Sequence, residues 1–353
     1  MSRPRSIAGL LAAAVFALAA GAEGATVAPD RSPARTAACT LAASVSGHDE
    51  APGSVRRPFR TVRRLLAALR PGQVGCLLGG TFVENVSIER PGTAAQRIVL
   101  RSAPGTRARI EGYLVIRDSA NFVTVRNLDV DGHGVGPITV HVYGDHALLD
   151  GLDVTNRNKL NVTNTGSCIL LGRVGLPVHH AVVQRSRIHH CGSSGHDHGI
   201  YAEFPRDAVI RDNYIYASPG YGISMYPDAQ RTLITRNVID GNGHGNITFS
   251  GEAAGKEYAQ DFASSGNRVT LNVITNARSR YNIESFFPSL RPSGNSVSFN
   301  CVWNAPWGNF GYTAGYSRSN NIEADPQYRD PARGDFRLRP GSPCRGKGPR
   351  ARP

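Results

Sequence analysis

The sequence predicts an all-β fold, a single-stranded parallel β-helix in which short strands from successive coils stack into parallel sheets. Two repeating patterns predict this solenoid. Seven segments of eight residues have an apolar third and eighth residue, and their starts lie 24, 34, 27, 24, 35 and 28 residues apart. Short alternating segments run between them. These units are too short for the four strands of a propeller blade and lack the leucine-rich consensus, so stacking is the remaining way to bury their apolar residues.

The eight-residue segments start at Val123, Ala147, Ala181, Ala208, Thr232, Asn267 and Asn295. In the last four, the sixth residue is asparagine, namely Asn213, Asn237, Asn272 and Asn300. Stacked amides can hydrogen-bond along a column, and asparagine tolerates the left-handed backbone that a sharp corner needs. We therefore expect an asparagine ladder at one corner, and loop insertions at 155–180 and 251–266 where the intervals are longest.

The alternating segments form a second column, which starts at Ile138, Ile169, Ile200, Ile223, Ile247 and Ile283. The residues two positions on are Val140, Leu171, Ala202, Met225, Phe249 and Ser285. Because successive side chains of a strand point to opposite faces, both sets are expected to point inward and the residues between them outward.

The N-terminus has the pattern of an export signal. Arg3 and Arg5 precede an apolar stretch at 7–20, and residues 20–22 fit a small-x-small cleavage site. We therefore predict a signal peptide over 1–22 and a secreted, extracellular protein. The rest of the chain is then divided into a linker over 23–43, a β-helix domain with its end caps over 44–344, and a basic tail over 345–353.

A short helix is predicted before the first coil. Phe59, Val62, Leu66 and Leu69 fall on one helical face, and Pro71 with Gly72 ends the helix. A solenoid needs its open end covered, so this segment is interpreted as an N-terminal capping helix.

Composition narrows the function classes. A hydrophobic fraction of 40% is too high for a disordered chain, and no apolar run long enough to span a membrane follows the leader, so membrane insertion is not expected. The net charge of +13 rests on 37 Arg and three Lys scattered along the chain. That distribution disfavours nucleic-acid binding in an exported protein, and the charge favours an acidic polysaccharide as partner. We expect a monomer.

Motifs at both ends of the chain carry a family resemblance. They are Ser46-Gly47-His48-Asp49, Pro58-Phe59-Arg60-Thr61 and Gly80-Thr81-Phe82-Val83-Glu84 at the start, and Asp325-Pro326-Gln327-Tyr328, Asp335-Phe336-Arg337-Leu338 and Gly341-Ser342-Pro343 at the end. In these motifs and its repeats, the chain resembles the secreted right-handed parallel β-helix proteins of the pectate-lyase-like superfamily. The resemblance implies a right-handed coil and a polysaccharide partner. It does not choose among lyase, hydrolase, epimerase and noncatalytic binding.

The densest polar chemistry runs over residues 189–203. With Ile200 and Ala202 inward, Tyr201 and Glu203 point outward, and Ser224 and Tyr226 take the same two outward positions one coil on. Flat rings beside a carboxylate suit a sugar groove.

We predict a lyase or epimerase that works by proton abstraction on an acidic, uronate-containing polysaccharide. Either reaction needs a group that neutralises the carboxylate, a base and an acid. We predict Arg206 for the first role and His198 and Tyr201 for the others, with Glu203 also in the catalytic set. His196 and Tyr226 are predicted to bind substrate.

Several alternatives stay open. These residues could be ordinary exposed positions of the coil, and the protein could be a noncatalytic carbohydrate- or surface-binding β-helix. The cluster of His189, His190, Cys191, His196 and His198 matches no known zinc spacing, so no metal ligand is predicted. Calcium is a possible cofactor, because calcium-dependent lyases use converging carboxylates, although no acidic cluster is evident.

Six cysteines in an exported chain predict disulfides. Cys168 and Cys191 are 23 residues apart, about one coil, which favours a bond between adjacent coils. The preferred remaining pairs, Cys39–Cys76 and Cys301–Cys344, would tie down the two ends, but other connectivities fit the sequence as well.

Overall fold

The computed structural model describes residues 38–133, 138–158 and 166–350. Three long sheets account for most of these residues, and each coil of the chain passes through sheet 1, sheet 2 and sheet 3 in turn. Nearly all neighbouring strands are parallel. The described residues therefore form the predicted parallel β-solenoid.

Sheet 1 has 11 strands, which in order are Leu41–Ala43, Val74–Leu77, Ile98–Ser102, Val123–Arg126, Leu148–Asp150, Val182–Gln184, Val209–Arg211, Leu233–Thr235, Arg268–Thr270, Ser296–Ser298 and Ser317–Ser319. Sheet 2 has 10, which are Gly80–Val83, Ala108–Glu111, Asp129–Asp131, Asp153–Thr155, Arg187–His189, Tyr214–Tyr216, Val238–Asp240, Val273–Thr275, Cys301–Trp303 and Ile322–Glu323.

Sheet 3 also has 10 strands, which are Val86–Ile88, Leu114–Ile116, Ile138–Val142, Ser167–Leu171, His198–Ala202, Tyr221–Met225, Gly245–Glu252, Ile283–Phe286, Phe310–Gly311 and the antiparallel Phe262–Ala263. Smaller elements are the strand pairs Val178–His179 with Pro205–Arg206 and Tyr328–Asp330 with Asp335–Leu338, the helix Val62–Ala68, and the 3-10 turns Thr313–Gly315 and Pro331–Arg333.

The predicted apolar columns lie inside the solenoid. The third residues of the seven segments pair directly across sheet 1, in the order Val125, Leu149, Val183, Ile210, Ile234, Val269 and Val297. All seven are buried. Burying a side chain of this size stabilises the fold by roughly 1.5–3 kcal/mol, so these columns are a main source of its stability.

The predicted register of the alternating segments is wrong at one coil. Ile138 pairs with Ser167, and Val140 rather than Ile138 pairs with Ile169. The prediction matched isoleucine to isoleucine, which placed this strand two residues out. Because a shift of two keeps each side chain on the same face, Ile138 and Val140 still point inward, as expected.

The asparagine ladder is present inside one corner. Each Nδ2 donates to the Oδ1 of the next coil, from Asn213 to Asn237, Asn272 and Asn300 at 3.0, 3.0 and 2.9 Å, and on to Asn321 at 3.0 Å. The first four side chains are fully buried, so each amide depends on its neighbours for hydrogen bonds.

The left-handed corner lies one residue earlier than expected. Asp212, Arg236, Leu271 and Phe299, which precede the four asparagines, have φ between 55° and 58°. The asparagine that follows is then free to point its amide inward. The corner and the ladder are therefore formed by two adjacent residues instead of one.

All three predicted disulfides are present, Cys39–Cys76, Cys168–Cys191 and Cys301–Cys344. The first and last hold the two ends of the described chain to sheets 1 and 2.

Both predicted boundaries of the domain need correction. Leu41–Ala43, placed in the linker, pairs with Val74–Leu77 as the first strand of sheet 1. At the other end, the N–H of Gly348 donates to Leu271 O at 2.9 Å and that of Arg350 to Asp212 Oδ1 at 3.1 Å. Apolar content alone did not reveal these backbone contacts. The predicted signal peptide and residues 351–353 lie outside the described residues.

The helix Val62–Ala68 lies against the first strands. Thr61 caps it by accepting the N–H of Arg64 at 3.1 Å. Leu65 and Leu69 are fully buried beside Gly75, where a Cβ would lie 2.8 Å from Leu69 Cδ1. The absence of a side chain at Gly75 leaves room for the two leucine side chains.

Candidate functional site

A groove of about 500 Å³ lies on the outer face of sheet 3. It crosses four neighbouring strands, from His198–Ala202 to Ile283–Phe286. Strands of a sheet are about 4.8 Å apart, so the groove extends roughly 14 Å along the solenoid. The outward residues that face one another across these strands are Tyr201, Ser224, Thr248 and Glu284.

His198 is held in this groove as a neutral hydrogen-bond donor. Its Nδ1 accepts a hydrogen bond from the backbone N–H of Tyr221 at 3.1 Å. Burial, and then the nearby His196 and His244, lower the pKa of His198 to about 3. Because a backbone N–H can only donate, Nδ1 is unprotonated and the neutral ring carries its proton on Nε2. His198 is therefore suited to donating a hydrogen bond and not to the role of base.

The backbone around His198 is fixed by two neighbours. Asp197 is fully buried, and its Oδ2 accepts the N–H groups of Ser193 and Ser194, both at 2.7 Å. On the next coil, a Cβ at Gly220 would lie 2.7 Å from His198 Nδ1. These contacts hold the imidazole in place.

Arg280 places a cation in the groove. Its Nη2 lies 2.8 Å from Glu284 Oε2, and its Nη1 lies 3.2 Å from His244 Nε2. Since a guanidinium can only donate, His244 Nε2 accepts, and the neutral ring carries its proton on Nδ1. Burial and then Arg280 lower the pKa of His244, which favours that neutral form. Tyr221 donates its hydroxyl to Glu284 Oε1 at 2.5 Å.

Two stacked tyrosines lie beside these donors. The rings of Tyr201 and Tyr226 are 6.4 Å apart and 15° from parallel. The Tyr226 hydroxyl is 2.6 Å from Glu252 Oε2 and 3.1 Å from Glu257 Oε2, and both carboxylates belong to the insertion at 251–266. That insertion therefore forms a wall of the groove. Burial is the main cause that raises the pKa of Tyr201 well above its usual range, so this phenol is protonated at neutral pH.

Glu203 lies beside the groove, and its side chain is outside the lining. Its Oε1 is 3.4 Å from the Tyr258 hydroxyl. Burial raises the pKa of Glu203 to about 7, although hydrogen bonds from Val174 and Tyr258 and the charge of Arg173 act in the opposite direction. Both protonation states of this carboxyl are therefore populated at neutral pH.

Arg206 is not brought together with the other candidates. It follows the corner after sheet 3, in the strand Pro205–Arg206, and its guanidinium forms an ion pair with Asp228. Its Nη1 also donates to Asp228 O at 2.5 Å. Three residues beyond the outward Glu203, the chain has already turned the corner after sheet 3. The prediction from the sequence therefore placed Arg206 too near the groove. His196 is exposed at the rim and does line the groove.

One end of the groove continues into exposed aromatic rings. The Arg280 guanidinium lies 5.2 Å from the ring of Trp307 and 5.6 Å from that of Tyr312, and Tyr281 contacts both rings edge-on. Trp307 and Tyr312 are each 56% exposed. We call Arg280, Tyr281, Trp307 and Tyr312 the aromatic cluster.

Within the described ranges, no three His, Cys, Asp or Glu side chains converge in a way that could hold a metal ion. No residue is therefore assigned to calcium. Among the described residues there is also no helix that is long and apolar enough to cross a bilayer.

Sequence reasoning missed His244, Arg280 and Glu284. A signal for Glu284 was present, because it follows Ile283 just as Tyr201 follows Ile200. Arg280 and His244 precede their strands in turns of different length, so no fixed spacing identifies them.

A family model of the right handed beta helix region matches residues 112–324. The match covers more than half of the chain and includes all four strands of the groove. The chain belongs to the right-handed β-helix family. No curated protein sequence matches this β-helix protein.

Solved structures of the same fold include three enzymes. The pectate lyase Pel9A superposes with a TM-score of 0.56 and 13% identity over 86% of this chain and 90% of its own. An alginate lyase from Paenibacillus sp. str. FPU-7 gives 0.51 and 15% over 74% and 96%. The mannuronan C-5 epimerase AlgE4 A-module of Azotobacter vinelandii gives 0.50 and 12% over 71% and 65%. At these identities the similarity establishes the pectate-lyase-like fold of this β-helix protein.

Proposed function

We propose that this protein binds an acidic polysaccharide along sheet 3 and cleaves it as a lyase, by abstracting the proton next to a uronate carboxylate. The observation that carries the proposal is the division of the groove into two edges. The hydrogen-bond donors His198, His244 and Arg280 form what we call the donor edge, and the stacked phenols of Tyr201 and Tyr226 form the phenol edge. The two edges meet where the rings of His198 and Tyr201 lie 5.5 Å apart. The similar folds of a pectate lyase and an alginate lyase agree with it.

The donor edge suits a carboxylate. His198 and His244 each have one ring nitrogen engaged as acceptor, so each neutral ring offers an N–H. Arg280 adds a positive charge that Glu284 partly balances. Donors fixed in advance stabilise the negative charge that grows on a uronate carboxylate as its neighbouring proton leaves.

The phenol edge suits the proton transfers. Tyr226 O takes the proton from the carbon next to the carboxylate, while its own proton passes to Glu252, 2.6 Å away. The electron pair of the broken C–H bond forms the C=C bond, and the glycosidic C–O bond breaks. Tyr201, which is protonated at neutral pH, gives its proton to the leaving oxygen. Glu252 then releases its extra proton to solvent, and Tyr201 takes one up, which restores the starting state.

The positions of the two phenols favour elimination over epimerisation. Tyr201 is an outward residue of one strand of sheet 3, and Tyr226 directly follows the next strand, Tyr221–Met225. Because their rings stack, both approach a bound sugar from the same face. Elimination can remove the proton and the leaving oxygen from one face. Epimerisation needs a proton donor on the face opposite the base.

The test is the ultraviolet absorbance of unsaturated uronates during incubation of the purified protein with pectate, alginate and a neutral glucan, with and without calcium. We expect absorbance to rise with an acidic polymer only, and Tyr201→Phe and Tyr226→Phe to abolish the rise. Tyr312→Phe is the matched control, because it removes a hydroxyl outside the two edges. Depolymerisation without absorbance, or full activity in both edge variants, would refute the proposal.

Noncatalytic binding is the second candidate. It is favoured by the aromatic cluster, whose exposed rings extend the sugar-binding surface beyond the four strands of the groove. Retention of the protein on an acidic polymer with no product from any substrate would support it.

We also infer that the protein is exported and monomeric, and that the helix Val62–Ala68 caps the first coil. Three disulfides and the leader pattern support export. The burial of Leu65 and Leu69 beside the first strands supports the capping role.

A further inference from the structure

A second group of aromatic and basic residues lies on sheet 3, toward its N-terminal end. His141 Nδ1 and the Tyr143 hydroxyl are 3.0 Å apart, and Tyr113 contacts His141 edge-on. The Arg173 guanidinium lies 5.4 Å from the Tyr143 ring, and Arg117 is exposed on the neighbouring coil. We call these five residues the cationic cluster.

The two arginines of this cluster present charge to solvent. Both are exposed, and neither forms an ion pair with a carboxylate in the described part of the chain. Arg117 Nε donates to Ser87 Oγ at 3.0 Å, which orients the guanidinium. Burial, and to a smaller extent Arg117 and Arg173, lower the pKa of His141 to about 4, so the imidazole between them is neutral. The cluster therefore carries two positive charges around half-buried rings.

The cationic cluster and the groove share one surface. The outward position of His141 is followed on the next coils by Leu170 and then Tyr201. Beside this column, Val142 pairs with Leu171 and Leu171 with Ala202, so Tyr143, Gly172 and Glu203 succeed one another. Gly172 adds no side chain between them. His141 and Tyr201 are two strands apart, roughly 10 Å, which one extended sugar chain can bridge.

We propose that the cationic cluster is a second binding site for the same polymer, and that it holds the carboxylate of another sugar residue in the chain whose cleaved residue lies in the groove. Arg117 and Arg173 supply charge-assisted hydrogen bonds to the carboxylate, and the rings of Tyr113 and Tyr143 support the sugar. A second site along one chain raises affinity for polymers long enough to reach both.

This inference rests on the proposed function, and its test compares long and short substrates. Binding of a long uronate oligomer and of a short one is measured by calorimetry for the wild type and for the double variant Arg117→Gln/Arg173→Gln. We expect the double variant to lose about tenfold or more in affinity for the long oligomer, since two charged hydrogen bonds are removed, and to bind the short one unchanged. Arg268→Gln, on the exposed surface of sheet 1, is the matched control and should change neither.

The outcomes separate the two proposals. A double variant that binds the long oligomer like the wild type overturns the second site and leaves the proposed function intact. Equal loss for long and short oligomers also overturns it, because the arginines would then act on the groove. A wild type that neither binds nor cleaves any uronate polymer contradicts both proposals.

Discussion

The cationic cluster and the aromatic cluster both contain an arginine over aromatic rings, but different members of the pair are exposed to solvent. At the N-terminal end of the surface, Arg173 lies over a half-buried Tyr143 and offers its charge to solvent. At the C-terminal end, Arg280 is ion-paired with Glu284, and it is the ring of Trp307 that is exposed. The same arginine–aromatic pair therefore presents different chemistry to solvent at the two ends of the surface. The N-terminal end exposes the charge of the arginine, and the C-terminal end exposes the aromatic ring.

The largest expected effect concerns the groove between these clusters. Tyr201→Phe removes the proposed acid and should lower kcat by about 10²–10⁴-fold with little change in binding. Tyr312→Phe, in the aromatic cluster, keeps the ring that we expect to contact sugar and should leave kcat unchanged. Steady-state kinetics on one acidic polymer checks the pair. Equal losses of kcat would mean that the hydroxyl of Tyr312 is also needed for cleavage, which would contradict the different roles given to the groove and the aromatic cluster.

Trp307→Ala should weaken polymer binding about tenfold, because the exposed ring is lost as an apolar surface for sugars. Trp303→Ala is the control, since Trp303 is also exposed but belongs to sheet 2. Affinity electrophoresis in gels containing the polymer measures both. A larger loss of polymer binding for Trp303→Ala than for Trp307→Ala would mean that the binding surface lies on sheet 2 and not on sheet 3.

Glu203 lies between the two clusters and should make the surface sensitive to pH. Its pKa in the fold is about 7 against an ordinary 4.5, so the folded state holds the proton more tightly, and stability falls as pH rises from about 4.5 to about 7. Glu203→Gln should therefore be more stable than the wild type at pH 8, by roughly 1–3 kcal/mol, and similar at pH 4.5. Thermal unfolding at both pH values checks this, with the exposed Glu50→Gln as control.

The same carboxyl should affect ligand binding. Arg173, Glu257 and Tyr258 all lie close enough to Glu203 to influence its charge, and Glu203 in turn acts on Tyr201. Above pH 7 its negative charge repels an acidic polymer and competes for Arg173. Wild-type affinity should then fall severalfold between pH 6 and pH 8, because Glu203 gains one negative charge near the polymer. The Glu203→Gln variant should show a flatter profile of affinity against pH. Identical profiles would show that Glu203 is remote from the polymer.

The smallest effect expected is a difference in salt dependence. Raising the ionic strength to about 0.5 M shortens the screening length and should weaken wild-type binding a few-fold. Trp307→Ala should keep that dependence, and Arg117→Gln/Arg173→Gln should lose most of it. The reverse pattern would exchange the assignments of the two ends.

The sequence predicted the inside of this protein better than its outside. The columns headed by Val125 and the asparagine ladder follow directly from the repeat, because inward positions must match coil by coil. The alternation also placed Tyr201 and Tyr226 on one surface. The error at Ile138 arose because two alignments of this strand bury equally apolar residues, and only the pairing decides between them.

The rest of the site depends on features that do not repeat. Arg280 and His244 come from turns of unequal length, and Glu252 and Glu257 reach Tyr226 only through an insertion. Burial decides the protonation of His198, and the sequence alone suggested a base where the contact with Tyr221 leaves a donor.

The parallel register of sheet 3 also sets the distances between the outward side chains of the groove. Every group assigned to the groove comes from one contiguous stretch of chain, between His196 and Phe286, and its outward residues Tyr201, Ser224, Thr248 and Glu284 follow one another at intervals of one strand. Duplicating one coil between Tyr201 and Tyr226 would move the two phenols about 5 Å further apart without disturbing either. Moving the stretch intact to another solenoid would carry the site with it. Gain or loss of single coils is thus a simple route by which evolution could retune or silence such a surface while keeping the fold.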